Sequence, residues 1–169
     1  IAKVIGVNWQ DGGRRADFSL DLVKALNEIA TVKPALTFIT TPNNPTGTTV
    51  TLDEIAQLAQ AAAQVNGLLI VDEAYAEFSD LPSAVTLINE YPNLVVIRTM
   101  SKAFAFAGAR LGYLIANQEL VSAMFLVRLP YHLSSLTQAA AEVALEYQGE
   151  LLGSVSTLIN SRKSVISEL

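Results

Sequence analysis

Three short apolar runs, Leu36-Thr37-Phe38-Ile39, Leu68-Leu69-Ile70-Val71 and Leu94-Val95-Val96-Ile97, are each followed at once by a polar cluster. The clusters are Thr41-Pro42-Asn43-Asn44-Pro45-Thr46-Gly47, Asp72-Glu73-Ala74-Tyr75 and Arg98-Thr99-Met100-Ser101-Lys102. Continuous apolar runs are the signature of strands buried on both faces, as in parallel sheets covered by helices. Open α/β sheets bind ligands beyond the carboxyl ends of their strands. Three strands therefore deliver polar chemistry to one place.

The intervening segments fit that frame. Leu20 to Ile29 carries apolar residues at helical spacing, and Ala35 to Thr40 reads as a strand. Thr51-Leu52-Asp53-Glu54 has the form of a capping box that opens a helix running to about Val65, and Asn66-Gly67 stops it before the strand Leu68–Val71. Strand, helix and strand joined by short loops imply parallel pairing through a right-handed crossover. Further on, Leu94–Arg98 and Gly112–Ala116 read as strands, while Gln118–Val127, Thr137–Tyr147 and Leu151–Leu169 read as helices. Ile1 to Val7 reads as a strand entered in mid-domain. With no initiator Met and no cap on the last helix, the sequence is expected to be a piece of a longer protein. The fold expected is a layered α/β domain with a mostly parallel sheet.

Composition removes other classes. A chain of 169 residues with 51% hydrophobic and 16% charged residues is a globular domain. Its apolar runs fall well short of the roughly 20 residues of a membrane-spanning helix. A net charge of −5 without a basic run leaves no electrostatic footprint for nucleic acid. Zero cysteines and one histidine exclude disulfides and zinc-type clusters and point to a cytoplasmic setting, with no metal expected. There is no P-loop, and Gly108-Ala109-Arg110-Leu111-Gly112 lacks dinucleotide spacing. Adjacent residues on a strand point to opposite faces, so Asp72 and Glu73 make a poor glycosidase pair; one of them is expected to serve structure. His132 has no nucleophile context and is assigned a supporting role.

What remains is one lysine, one aspartate at a strand end, a tyrosine, an asparagine, hydroxyls and an arginine. Pyridoxal 5'-phosphate asks for such a set: an amine for its aldehyde, a cation and hydroxyls for its phosphate, and a carboxylate for its ring nitrogen. Lys102, Arg110 with Thr99 and Ser101, and Asp72 can fill these roles. Tyr75 and Asn44 can donate to the ring's phenolic oxygen, which favours its charged form.

The same motifs, with Ala103-Phe104 after Lys102 and with Val127-Arg128-Leu129-Pro130-Tyr131-His132-Leu133-Ser134-Ser135, resemble the class I/II aminotransferases of fold type I. More narrowly, they resemble the histidinol-phosphate aminotransferase family in its actinobacterial form, in order along nearly the whole chain. The resemblance implies the three-layer large domain of fold type I, truncated at both ends. Residues 1–147 would belong to the cofactor-binding large domain and 148–169 would begin the helix toward an absent small domain. It makes Lys102 the Schiff-base lysine and general base, pairs Asp72 with the pyridinium nitrogen, and gives Asn44 and Tyr75 the phenolic oxygen. Thr99, Ser101 and Arg110 take the phosphate, and Asn44–Pro45 is implied to be cis.

The implied reaction is transamination between L-histidinol phosphate and 2-oxoglutarate in histidine biosynthesis, by a homodimer acting on small-molecule amino donors and 2-oxo acids. Other phosphate, ring-stacking and carboxylate-binding elements would lie outside the chain, which is therefore expected to be inactive alone. Competing readings are an aromatic or broad-specificity aminotransferase, a threonine-phosphate decarboxylase, disfavoured by the stretch around Lys102, and a catalytically dead α/β binding module. Phe104 and Phe106 are expected to pack, and Arg128 and Tyr131 to shape the cofactor region or a subunit interface.

Overall fold

In the computed structural model, which describes residues 2–168, the three apolar runs form β1 (Leu36–Thr40), β2 (Leu68–Asp72) and β3 (Leu94–Thr99). They lie side by side and parallel, and β4 (Gly112–Ala116) pairs antiparallel with β3 at the edge. The register places Thr40 beside Asp72 and Asp72 beside Ile97, so the carboxyl ends of the three parallel strands come out together.

Helices α1 (Leu22–Val32) and α2 (Leu52–Gln64) cover one face. Asp21 caps α1 by accepting from the Lys24 amide at 3.1 Å. The capping box of α2 forms as its sequence indicates: Thr51 Oγ1 accepts from the Glu54 amide at 3.3 Å, and Glu54 accepts from the Thr51 amide at 2.8 Å. Leu69, Val71, Leu94 and Val96 are wholly buried against Ile29 of α1 and Ile55, Leu58, Ala59 and Ala62 of α2. On the opposite face Leu36 and Phe38 are 53% and 65% exposed.

At the end of α2 the left-handed conformation falls on Asn66 (φ 57°) rather than on Gly67. Gly67 is needed for another reason, since a Cβ there would run into the Pro34 carbonyl oxygen. The glycine lets the chain entering β1 pass against the chain entering β2. Gly67→Ala is expected to cost about 1–3 kcal/mol through this collision, read as a lowered midpoint in chemical denaturation with an unchanged slope.

Beyond β4, α3 (Gln118–Val127), α4 (Ser135–Glu146) and α5 (Gln148–Glu168) follow, the last two separated by Tyr147 alone. A second apolar cluster joins Ala144 of α4 and Val155 of α5 to Met100, Ala103 and Phe104, with Phe106 packed on it, so both phenylalanines are packing residues as expected. This cluster anchors the segment that carries Lys102. No helix among the described residues is long and apolar enough to cross a membrane.

The amino end departs from expectation. Ile1 lies outside the described residues, and residues 2–6 form turns instead of a strand, with Val4 and Ile5 exposed and Gly6 at φ 73°. A strand needs a neighbour for its amide and carbonyl groups, and among the described residues β1 pairs only with β2.

Candidate active site

Strand alternation sorts the polar residues at the carboxyl ends onto two sides. Glu73 and Arg98 continue the buried series 69, 71 and 94, 96, whereas Asp72 and Thr99 continue the other. On the helix-covered side Glu73, only 3% exposed, accepts from Arg98 Nη2 at 2.7 Å and Nε at 3.0 Å, from Ser83 Oγ at 2.7 Å and from the Ala84 amide at 2.7 Å. Arg98 Nη1 also reaches Glu77 at 3.2 Å. Burial alone would lower the Arg98 pKa, but the hydrogen bonds and charge of Glu73, with that of Glu77, outweigh it and the net shift is upward. Of the two adjacent carboxylates, Glu73 is thus the structural one. It locks the ends of β2 and β3 together directly beside Asp72 and Thr99.

On the other side, Asp72 is half-buried and its Oδ1 accepts from the Ala74 amide at 3.0 Å, which leaves Oδ2 for another donor. Asn44 Nδ2 donates to Tyr75 Oη at 2.8 Å, joining the loop after β1 to the loop after β2. Lys102 Nζ stands 5.5 Å from the centre of the Tyr75 ring. No carboxylate among the described residues lies within ion-pair distance of it. Lys102, Tyr75 and Asn44 therefore meet across three loops distant in sequence. Asn44–Pro45 is cis, as is Thr41–Pro42, which the sequence did not flag.

The three residues assigned to phosphate meet less completely. Thr99 Oγ1 and Ser101 Oγ are hydrogen-bonded to each other. Thr99 Oγ1 also accepts from the Ser101 amide at 3.1 Å and donates to the Leu111 carbonyl at 3.3 Å, so this hydroxyl serves local backbone. Arg110 is exposed, adopts φ 53°, and donates from Nη1 to the Ala107 carbonyl at 3.1 Å, with no hydrogen bond to Thr99 or Ser101. Among the described residues, the rest of its fork has no hydrogen-bond partner.

Arg128 and Tyr131 sit on the exposed chain after α3. Arg128 stacks on Phe125 at 4.5 Å and approaches His132 at 3.3 Å, and Tyr131 is 99% exposed. An open cleft of about 640 Å³ runs from Asn44 and Tyr75 along Phe78 and Asp80 to Arg162 of α5. Among the described residues no group of three or more His, Cys, Asp or Glu is placed to hold a metal ion. An unpaired amine, a carboxylate with one free oxygen and a linked amide and phenol match the donor set that pyridoxal phosphate needs.

Residues 2–169 match the aminotransferase class I and II family. The chain belongs to this family. Like other class I and II aminotransferases it has the α/β architecture of fold type I. It is 54% identical over 170 aligned positions to the histidinol-phosphate aminotransferase of Mycobacterium sp. (strain JLS), spanning 100% of this chain and 45% of that protein. Among solved structures, the histidinol-phosphate aminotransferase from Sinorhizobium meliloti in complex with pyridoxal-5'-phosphate is 30% identical, with a TM-score of 0.77 over 94% of this chain and 42% of that one. The enzyme from Clostridium acetobutylicum is 29% identical, with a TM-score of 0.79 over 89% of this chain and 46% of that one. The chain spans less than half the length of the relatives it matches.

Two sets of residues escaped the sequence. The Glu73–Arg98–Glu77 network was open to inference, because Arg98 precedes Thr99 as Glu73 follows Asp72 and register pairs their strands. Arg14, which grips Thr40 and Thr48 from an irregular segment, gave no signal.

Proposed function

We propose that this chain is the cofactor-binding part of the large domain of a pyridoxal-phosphate-dependent aminotransferase, with residues 148–169 starting the helix toward a small domain. The whole protein transaminates L-histidinol phosphate with 2-oxoglutarate in histidine biosynthesis, as a cytoplasmic homodimer. The observation that carries this reading is the meeting of Lys102, Tyr75 and Asn44 beside Asp72, supported by 54% identity to a histidinol-phosphate aminotransferase.

Bound pyridoxal phosphate supplies an aldehyde for the amino group and a protonated ring that draws electrons from the substrate carbon. The chain's own residues do the rest. Lys102 holds the cofactor and then, as a free amine, takes and returns the proton at the substrate carbon. Asp72, with Oδ1 fixed by the Ala74 amide, keeps the ring nitrogen's proton in place. Because Tyr75 Oη accepts from Asn44, its own hydrogen is free to be donated to the phenolic oxygen. Ser101, held by its bonds to Thr99, and the guanidinium of Arg110 would receive the phosphate. The isolated 169-residue chain is assigned cofactor capture without turnover.

The test is kcat/KM of the full-length protein with 2-oxoglutarate as acceptor. Histidinol phosphate should exceed tyrosine and phenylalanine by at least about 100-fold, since a site built for a polar group rejects analogues lacking it. Equal or better use of the aromatic amino acids would move the assignment to a broad-specificity enzyme.

A further inference from the structure

The loop that carries Asn44 is held by a hydrogen-bond ring with one direction. Arg14 Nη2 donates to Thr40 Oγ1 at 3.2 Å and to the Thr40 carbonyl at 3.1 Å, while Nη1 donates to Thr48 Oγ1 at 3.2 Å and to the Phe18 carbonyl at 3.1 Å. Thr40 Oγ1 donates to Asn43 Oδ1, and Asn43 Nδ2 donates to Thr46 Oγ1 at 2.8 Å. Thr46 and Thr48 hydroxyls are 2.9 Å apart, and Thr48 Oγ1 donates to the Phe18 carbonyl at 3.0 Å. A guanidinium has only donors and each hydroxyl only one proton, so every hydroxyl proton of the ring has an assigned place. Thr46 must donate to Thr48, and the ring closes on the carbonyl that Arg14 also holds. Such chains polarise one another and act as a unit.

Arg14 has an unusual setting for a cation. Burial lowers its pKa, and among the described residues no carboxylate lies within ion-pair distance. Neighbouring Arg15, by contrast, makes an exposed pair with Asp21 at 3.4 Å. The four partners of Arg14 are neutral oxygens of three segments: the turn at Phe18, the end of β1, and Thr48 beyond the cis-proline loop. Thr40, held at both carbonyl and hydroxyl, is the register partner of Asp72, and the next amide, Thr41, donates to the Asp72 carbonyl at 2.9 Å. Within the loop, the Asn43 amide donates to the Thr48 carbonyl at 2.8 Å and the Gly47 amide to the Asn43 carbonyl at 2.7 Å. The two adjacent asparagines thus divide their work. Asn43 is consumed by the ring, and Asn44 is left pointing at Tyr75.

We propose that Arg14 is a positioning residue for the cofactor site, fixing the Asn44 amide and the strand end beside Asp72 through the Thr40–Asn43–Thr46–Thr48 ring. The proposal rests on the cofactor role given to Asn44 above. It is tested on two readouts, amide hydrogen exchange of the cofactor-free protein and the pH midpoint of the bound cofactor's visible band.

In Arg14→Met the Asn43 and Gly47 amides should exchange about tenfold or more faster, as expected for lost hydrogen bonds to a charged group, with β2 and α2 unchanged. Thr48→Val, which breaks the ring but keeps the arginine, should show a smaller increase. Arg14→Lys should not restore protection, because an ammonium cannot bridge Thr40 and Thr48 as a planar fork does. The pH midpoint should rise in Arg14→Met and Thr48→Val, as it should in Asn44→Ala, because the Asn44 amide that orients the Tyr75 donor is displaced or lost.

Unchanged exchange over residues 43–47, or faster exchange with an unmoved midpoint, overturns the proposal. If Arg14→Met loses protection throughout, Thr48→Val decides by its midpoint alone. An unmoved midpoint in Asn44→Ala removes the cofactor role of Asn44 itself, and the proposal with it, whatever the exchange shows.

Discussion

Replacing Lys102 by arginine is expected to abolish transamination by the full-length protein as completely as replacing it by alanine. The alanine variant loses both the covalent hold on the cofactor and the base that moves the proton; the second loss alone is worth about 100- to 10,000-fold. Arginine keeps the positive charge and the approach to the Tyr75 ring, 5.5 Å from the Lys102 amine. It cannot give up a proton near neutral pH, so it serves neither as nucleophile nor as base. Steady-state rates of the two variants, with the cofactor's visible spectrum, separate chemistry from charge. An arginine variant with more than about a tenth of wild-type kcat would show that Lys102 acts only as a cation.

The second large effect is structural. Glu73→Ala should destabilise the domain by about 3–5 kcal/mol, because it leaves the Arg98 guanidinium largely buried after removing its main partner. For a domain of this size that is roughly 6–20 °C in melting temperature. The same change empties the acceptor used by Ser83 and the Ala84 amide. The double variant Glu73→Ala with Arg98→Met should recover part of the loss, since it removes the unpaired charge too. Cofactor affinity should fall in the single variant as well, because Glu73 and Arg98 fix the backbone on which Asp72 and Thr99 are carried. A loss below about 1 kcal/mol would mean that this pair is solvated.

Local signals carried most of the fold. Capping at Thr51 and Glu54, the apolar runs of β1 to β3, and the boundaries of β4 and α3 are all written in short windows, and the structure follows them. The amino-terminal run misled because its composition suits a strand, while among the described residues no sheet edge pairs with residues 2–7. For the site, strand-end placement was legible because polar clusters follow apolar runs directly, and it brought Lys102, Tyr75 and Asn44 to one place. The separate engagements of Thr99 and Arg110 were not legible, since they depend on how the loop from Met100 to Gly112 turns back on β3 and β4. Arg14 was invisible for the same kind of reason: its threonine partners, Thr40 and Thr48, lie 26 and 34 residues away and are selected by packing.

Titrating the protein with the cofactor, reducing with borohydride and mapping the labelled peptide by mass decides whether these strand ends form a pyridoxal phosphate site built on Lys102. A site built on Lys102 should give a saturable visible band at one equivalent and a reduced adduct confined to that residue. A label spread over Lys3, Lys24, Lys33 and Lys163, or a saturable band whose adduct sits on any of these, would contradict it.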